Sequence, residues 1–166
     1  IVNTAIKGGL APDDLVERIC RQMAELNQTA MEVMARFDVK ACTDITGFGF
    51  LGHLAEMVGG SGLVARVYAA DVPVIEEALT YADMGLIPAG AHNNRSFRES
   101  MLVFSDAVSR SRQDVLVDPQ TSGGLLAGVD PARGEALVAA LQAAGVEDAA
   151  LVGEVADGPE ERIRVE

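Results

Sequence analysis

Residues Ala41 to Met57 read ACTDITGFGFLGHLAEM and hold two chemistries side by side. Gly47, Gly49 and Gly52 spell G-x-G-x-x-G, the pattern that lets a tight turn bring a pyrophosphate onto a helix N-terminus. Directly before it stands Thr43-Asp44-Ile45-Thr46, a carboxylate between two hydroxyls. A carboxylate in a strand-to-helix loop can reach into a cleft. Beside a helix N-terminus, which favours anions, it suits a hard cation such as Mg²⁺ held together with phosphate oxygens. The plainer reading is a helix cap, by Asp44 or by the hydroxyl of Thr43 or Thr46, with the glycines admitting the helix close to its neighbours.

The dinucleotide reading has support beyond the glycines. A strand precedes them, a helix and a strand follow, and Asp71 lies about 20 residues on, where a ribose-binding acid belongs. Three features oppose it. TDIT separates the strand from the first glycine. Arg66 interrupts a strand that a doubly covered parallel sheet would keep apolar. The remaining chain is too short for two mononucleotide-binding halves.

A second compact polar motif is DPQTSGG, Asp118 to Gly124. Pro119 fixes φ, Gln120, Thr121 and Ser122 offer donors, and Gly123 and Gly124 allow positive φ. It is either a tight turn feeding a strand or a loop lining a cleft. His53 sits one turn into the helix after the glycines and reads as a satisfied structural histidine. Cys42 reads as a small buried residue. His92 reads as solvent-facing, and Asn93, Asn94 and Arg95 as loop residues able to touch a phosphate or a partner.

The elements that must position these residues follow from periodicity. IVNTAIKGG reads as a strand under way at Ile1, which with the absence of an initiating Met suggests a piece of a longer chain. APDDLVERICRQMAEL is a helix with Leu15, Ile19, Met23 and Leu26 on one stripe, opened by Pro12, Asp13 and Asp14. A second helix over 28–37 would bury Ala30, Met34 and Phe37. DVKACTD is a short strand, and 47–58 a buried helix. LVARVYAAD alternates, as a strand with one wetter face does. PVIEEALTYADMG is a helix ended by Gly85. IPAGAHNNRSF reads as a loop, MLVFS as a strand, and SRQDVLV as ambiguous. LLAGV is a strand, and DPARGEALVAALQAAG a helix capped by Asp130 and Gly145. AALVGEVA and RIRVE flank the turn DGPEE as a closing hairpin. The pattern is α+β: a mixed, largely antiparallel sheet carrying helices.

Composition narrows the class. The chain has 166 residues and a formal net charge of −12. Its length suits one domain, and its acidity disfavours nucleic acid and anionic membranes. Cys20 and Cys42 form no C-x-x-C pair, so a zinc site of the usual spacing is excluded. Reduced thiols, and no apolar run long enough to span a bilayer, point to the cytoplasm.

Taken together, TDITGFGFLGH and, about 65 residues later, DPQTSGGLL resemble the C-terminal domain of the selenophosphate synthetases (selenide, water dikinases), in the aminoimidazole-ribonucleotide-synthetase superfamily. IPAG…NNR and the opening IVNTAIKGG are similar too, so the resemblance covers essentially the whole chain. Phe50 departs from the Leu common in the family. The resemblance implies an α+β domain with partial ferredoxin-like topology, spanning 1–166, with an N-terminal ATP-binding domain absent. It implies the reaction of selenide, ATP and water to selenophosphate, AMP and orthophosphate, in a Mg²⁺-dependent homodimer. It implies that Asp44 is a metal ligand and that Thr43, Thr46 and Gly47 lie near the phosphates. A carboxylate from each domain on shared metals would couple phosphate binding to closure. The reactive Cys or selenocysteine and its partner Lys would lie upstream of Ile1. One carboxylate cannot hold a metal–ATP cluster alone, so the isolated chain is expected to be inactive. A non-catalytic regulatory or dimerisation module of the same fold, or another ATP-using superfamily member, is the alternative.

Overall fold

The computed structural model describes residues 1–158 and 162–166. The chain opens with helix α1 (Val2–Lys7), not the strand expected for IVNTAIKGG. Its β-branched letters favour a strand, but Ile1, Val2 and Ala5 pack with Leu15, Ile19, Ala78, Tyr81 and Ala82. Tertiary packing outweighs a propensity difference of under ~1 kcal/mol per residue. Helix α2 (Asp13–Ala24) begins behind Pro12 as expected and buries Leu15 and Ile19. Met23 is half-buried, whereas Leu26 lies past the helix end and is exposed. Helix α3 (Gln28–Met34) buries Met34 and stops short of Phe37.

Strand β1 (Ala41–Asp44) leads into helix α4 (Gly49–Val58), and strand β2 (Leu63–Val67) follows. Helix α5 (Glu76–Asp83) ends before Gly85, whose φ of 80° is the left-handed turn expected there. Helix α6 (Ala89–Arg98) occupies the segment expected to be a loop. Gly, Asn and His weaken it locally. Pro88 stands at its entry, Ala91 is buried in the core, and Arg95 pairs with Asp114. These tertiary ties decide the helix.

Strand β3 (Leu102–Phe104) precedes helix α7 (Arg110–Leu116), which settles the ambiguous SRQDVLV. The Ser109 hydroxyl caps it by accepting the Arg112 N–H at 3.2 Å. Strand β4 (Leu125–Gly128) comes next. Asp130 caps a single 3-10 turn, Pro131–Arg133, which runs into helix α8 (Gly134–Ala143). Strands β5 (Gly153–Asp157) and β6 (Ile163–Val165) end the chain. Of the DGPEE turn between them, residues 159–161 lie outside the described residues.

Among the described residues the strands make two sheets. One is the antiparallel ladder β1–β4, and the other is four-stranded in the order β3-β6-β2-β5. The fold is α+β with a mixed sheet, and of the four ladders among the described residues two are antiparallel, β1–β4 and β2–β5. No closing hairpin forms: β6 pairs in parallel with β2 and β3, and β5 lies on the other side of β2. Burial explains the choice. Ile163 and Val165 are at most 1% exposed and need an interior position, whereas β5 is mostly exposed and tolerates the edge.

Helix α4 packs Leu51, Leu54, Ala55 and Val58 against Ala65, Val67, Ile163 and Val165 on one face of the large sheet. The other face of β2 carries Arg66, exposed and paired with Glu154 at 3.0 Å, so the strand has the wetter face its alternation predicts. Val33, Met34, Leu137 and Leu141 form a separate cluster, with Leu125 and Ala127 of β4 packed against it. Among the described residues, no helix is long and apolar enough to cross a membrane.

Candidate functional site

The two polar motifs, far apart in sequence, meet backbone to backbone. The β1–β4 ladder ends at the pair Asp44 and Leu125. Beyond it the Ile45 N–H donates to Gly124 O, the Gly123 N–H to Ile45 O, and the Gln120 N–H to Thr46 O, each at 2.9 Å. TDIT and DPQTSGG therefore form one continuous structure, which neither motif announces alone. Gly123 is required by proximity: a Cβ there would meet Ile45 O at 2.7 Å. The left-handed positions are Ser122, at φ 58°, and Gly124, at φ 80°. A non-glycine residue in that region stores strain. The Ser122 hydroxyl donates to Met23 O at 3.0 Å, which ties the loop to the end of α2.

The glycine segment does not form a dinucleotide unit. β1 pairs antiparallel with β4, and β2 belongs to the other sheet, so β1–α4–β2 is no parallel βαβ unit. Gly49 has φ 70°, and a Cβ on it would meet Val117 C and O at 2.7 Å and Asp118 O at 2.8 Å. It lets the start of α4 touch the end of α7. Gly52 is buried against Phe48, whereas a Cβ on Gly47 would meet nothing within 4 Å.

Neither Thr43 nor Thr46 caps α4 through its side chain. Instead His53, 7% exposed, accepts the Thr46 N–H at Nε2 (3.0 Å), and the Thr46 hydroxyl lies 3.2 Å from the same nitrogen. Accepting an N–H requires Nε2 to carry no proton, which places the ring proton on Nδ1. His53 is thus the satisfied structural histidine expected, and its task is to hold the turn after Asp44. Asn94 holds the same turn from α6: its amide nitrogen donates to Gly47 O and Val117 O, both at 3.0 Å. Sequence reasoning placed Asn94 in a loop and missed this. Pro88, a helix-entry residue, was the available signal.

Asp44 is exposed at the end of β1, and its carboxylate oxygens have no hydrogen-bond or ion-pair partner among the described residues. The Thr43 hydroxyl donates to its carbonyl at 3.2 Å. A free, exposed carboxylate fits a divalent ion that also takes phosphate oxygens and water. No cluster of three or more His, Cys, Asp or Glu occurs among the described residues, so Asp44 would be one ligand of a larger set. Thr46 and Gly47 follow it in the same turn, with Phe48 beyond them 46% exposed.

Asp118 is the second acid of the assembly and is buried. Its Oδ2 accepts from the Ile1 nitrogen at 2.8 Å and from Gln120 at 3.3 Å, while its Oδ1 has no hydrogen-bond partner among the described residues. Burial pushes the carboxyl above its usual range, with the Ile1 nitrogen and Gln120 opposing. Cys42, expected to be buried, is exposed: it lies on the small two-stranded ladder, outside the main core built against the four-stranded sheet. Local desolvation, with the Asp44 charge adding to it, still raises its thiol. Arg95 is internal: it bonds Gln113 at 3.1 Å and Asp114 at 2.9 Å, with its guanidinium 5.2 Å from the Phe104 ring centroid. His92 and Asn93 are exposed as expected.

Residues 7–166 match the family described as AIR synthase related protein, C-terminal domain. The chain is 63% identical over 166 residues to the selenide, water dikinase of Pelobacter propionicus, covering all of this chain and 48% of that protein. It is 41% identical to selenide, water dikinase 2 of Peptoclostridium acidaminophilum, covering 99% of this chain and 47% of the relative. The chain therefore spans about half the length of the curated relatives it matches. The hydrogenase maturation protein HypE shares 25% identity over 74% of this chain and 30% of its own, at a TM-score of 0.46.

Proposed function

Because the chain belongs to the family of AIR synthase related protein C-terminal domains, we propose that it is the C-terminal domain of an ATP-dependent selenophosphate synthetase. The parent reaction is selenide, ATP and water to selenophosphate, AMP and orthophosphate. The observation that carries the reading is the position of Asp44. Two backbone-zipped motifs hold a free, exposed carboxylate at the mouth of a strand-to-helix turn, in a chain similar over its whole length to selenide, water dikinases.

Asp44 contributes one oxygen ligand to Mg²⁺, and the remaining carboxylates come from the other half of the enzyme. Bound Mg²⁺ neutralises phosphate oxygens during phosphoryl transfer. Thr43, Thr46 and Gly47 sit beside the phosphates, and the turn is kept rigid so that the carboxylate does not have to be ordered at the moment of reaction. The chain alone, with a single ligand, is inactive. The full enzyme is a cytoplasmic homodimer acting on selenide and ATP, without nucleic acid or membrane.

The test is Asp44→Asn in the enzyme carrying both halves, assayed for ATP-dependent selenophosphate formation across Mg²⁺ concentrations. A higher Mg²⁺ requirement and a lower rate are expected. Unchanged Mg²⁺ dependence at a normal rate would sink the assignment.

A further inference from the structure

We propose that Asn94 is the positioning residue that fixes the Gly47 end of the Asp44 turn against the end of α7, and so sets where the Asp44 carboxylate points. The functional half of this statement rests on the reading of Asp44 given above. Its structural half stands on the hydrogen bonds alone.

The Asn94 amide carries two N–H donors about 120° apart. Both are used, on Gly47 O and on Val117 O. Both neighbours are acceptors, so the nitrogen, not the oxygen, must face them. The two carbonyls belong to segments that already touch, since Gly49 allows the start of α4 onto Val117 and Asp118. That contact limits approach but does not fix orientation, because it is between backbone surfaces. A planar amide bridging two carbonyls does fix it.

The chemistry is specific to this side chain. Asp has the same shape and no donor. Gln has the donors and an extra methylene. Ser or Thr has a single donor for two acceptors. Besides the backbone bonds of Ile45 and Thr46 to the Asp118–Gly124 loop, side chains of two helices hold the turn, His53 of α4 on the Thr46 N–H and Asn94 of α6 on the Gly47 carbonyl. The Asp44 side chain makes no hydrogen bond or ion pair among the described residues that would orient it, so its direction follows from the backbone, which the β1–β4 ladder and the bonds of Ile45 to Gly123 and Gly124 hold on one side and these residues hold beyond it. Partners outside the ligand set typically change metal affinity by about 10–100-fold when removed.

Two readouts test it. In this chain, amide hydrogen exchange is followed at Gly49, whose N–H bonds Thr46 O, and at Ala65, whose N–H bonds Arg162 O in the core sheet. Asn94→Asp and Asn94→Ala should both speed Gly49 exchange, by about fivefold to tenfold for a lost hydrogen bond of ~1 kcal/mol, and leave Ala65 unchanged. An unchanged Gly49, or equal acceleration at both sites in both variants, overturns the proposal. In the enzyme with both halves, Asn94→Asp should raise the Mg²⁺ requirement by about tenfold and leave KM for ATP nearly unaltered. A rise in Asp44→Asn without one in Asn94→Asp overturns the role of Asn94. A rise in neither overturns the reading of Asp44 and, with it, the functional half of the proposal.

Discussion

His53 and Thr46 are joined by a hydrogen bond in which the imidazole Nε2 accepts the backbone N–H at 3.0 Å. The bond closes the loop between β1 and α4 from inside. Replacing His53 by Leu keeps an apolar filler but leaves the Thr46 N–H without its acceptor. Leaving this part-buried donor unsatisfied costs toward the lower end of the about 1–3 kcal/mol of a fully buried one. Urea unfolding of His53→Leu should show a loss in that range, with more rapid exchange of the Gly49 amide.

Two glycines of one motif should respond very differently to the same change. Gly49→Ala combines a left-handed φ, about 1–2 kcal/mol, with overpacking against Val117 and Asp118, about 1–3 kcal/mol. It should destabilise by about 2–5 kcal/mol or prevent folding. Gly47→Ala meets open space and should stay within about 0.5 kcal/mol of the parent. Chemical denaturation of both variants gives the comparison.

Asp118 carries a pH dependence of defined sign. Its carboxyl is raised above 3.8 chiefly by burial, so the folded chain keeps this proton where the unfolded chain has released it. The stability this provides is complete below the unfolded pKa and is lost as pH rises through the folded pKa. Asp118→Asn has no such titration. The Tm of the variant minus that of the parent should therefore increase as pH is raised from about 4 toward 7. A constant difference would contradict the burial of an under-partnered carboxyl.

Arg95 binds α6 to α7 through Gln113 and Asp114, and Asp114 is itself buried with Arg110 as its second partner. Arg95→Met keeps much of the stem and removes the charge. Because Arg110 remains, the loss should be about 1–3 kcal/mol, below the ~3–5 kcal/mol of a fully broken buried pair. Thermal unfolding of Arg95→Met and of Arg95→Met with Asp114→Asn measures it, and the double variant should recover part of the loss.

Cys42 offers a local probe of the Asp44 charge. The two alternate-position residues share one face of β1, and the Asp44 carboxylate raises the thiol. Asp44→Asn should speed alkylation of Cys42 near neutral pH and leave Cys20 unaffected, as peptide mapping of the modified thiols would show.

Much of this was legible in the sequence because the signals were local. Pro12 with Asp13 and Asp14 marked a helix start, Gly85 and Gly145 marked left-handed turns, and β2 showed its two faces by alternation. Asp44 stood out as a carboxylate in a strand-to-helix loop beside a helix N-terminus. His53 was legible as structural because it lies within an apolar helix.

What the letters of one segment do not carry is which other segment it meets. The α6 region reads as a loop because Gly, Asn and His disfavour helix locally, and Ala91 in the core and the bonds of Asn94 and Arg95 reverse that. IVNTAIKGG reads as a strand until Leu15, Tyr81 and their neighbours provide a cleft for one helical face. The G-x-G-x-x-G match loses its dinucleotide meaning only when β1 is seen to pair with β4, a choice made by hydrogen bonds between residues some eighty positions apart. Side-chain type and spacing are written locally and determine caps, turns and candidate ligands. Strand partnership and the orientation of Asp44 depend on long-range backbone bonds and buried contacts, and those were decided by the tertiary structure.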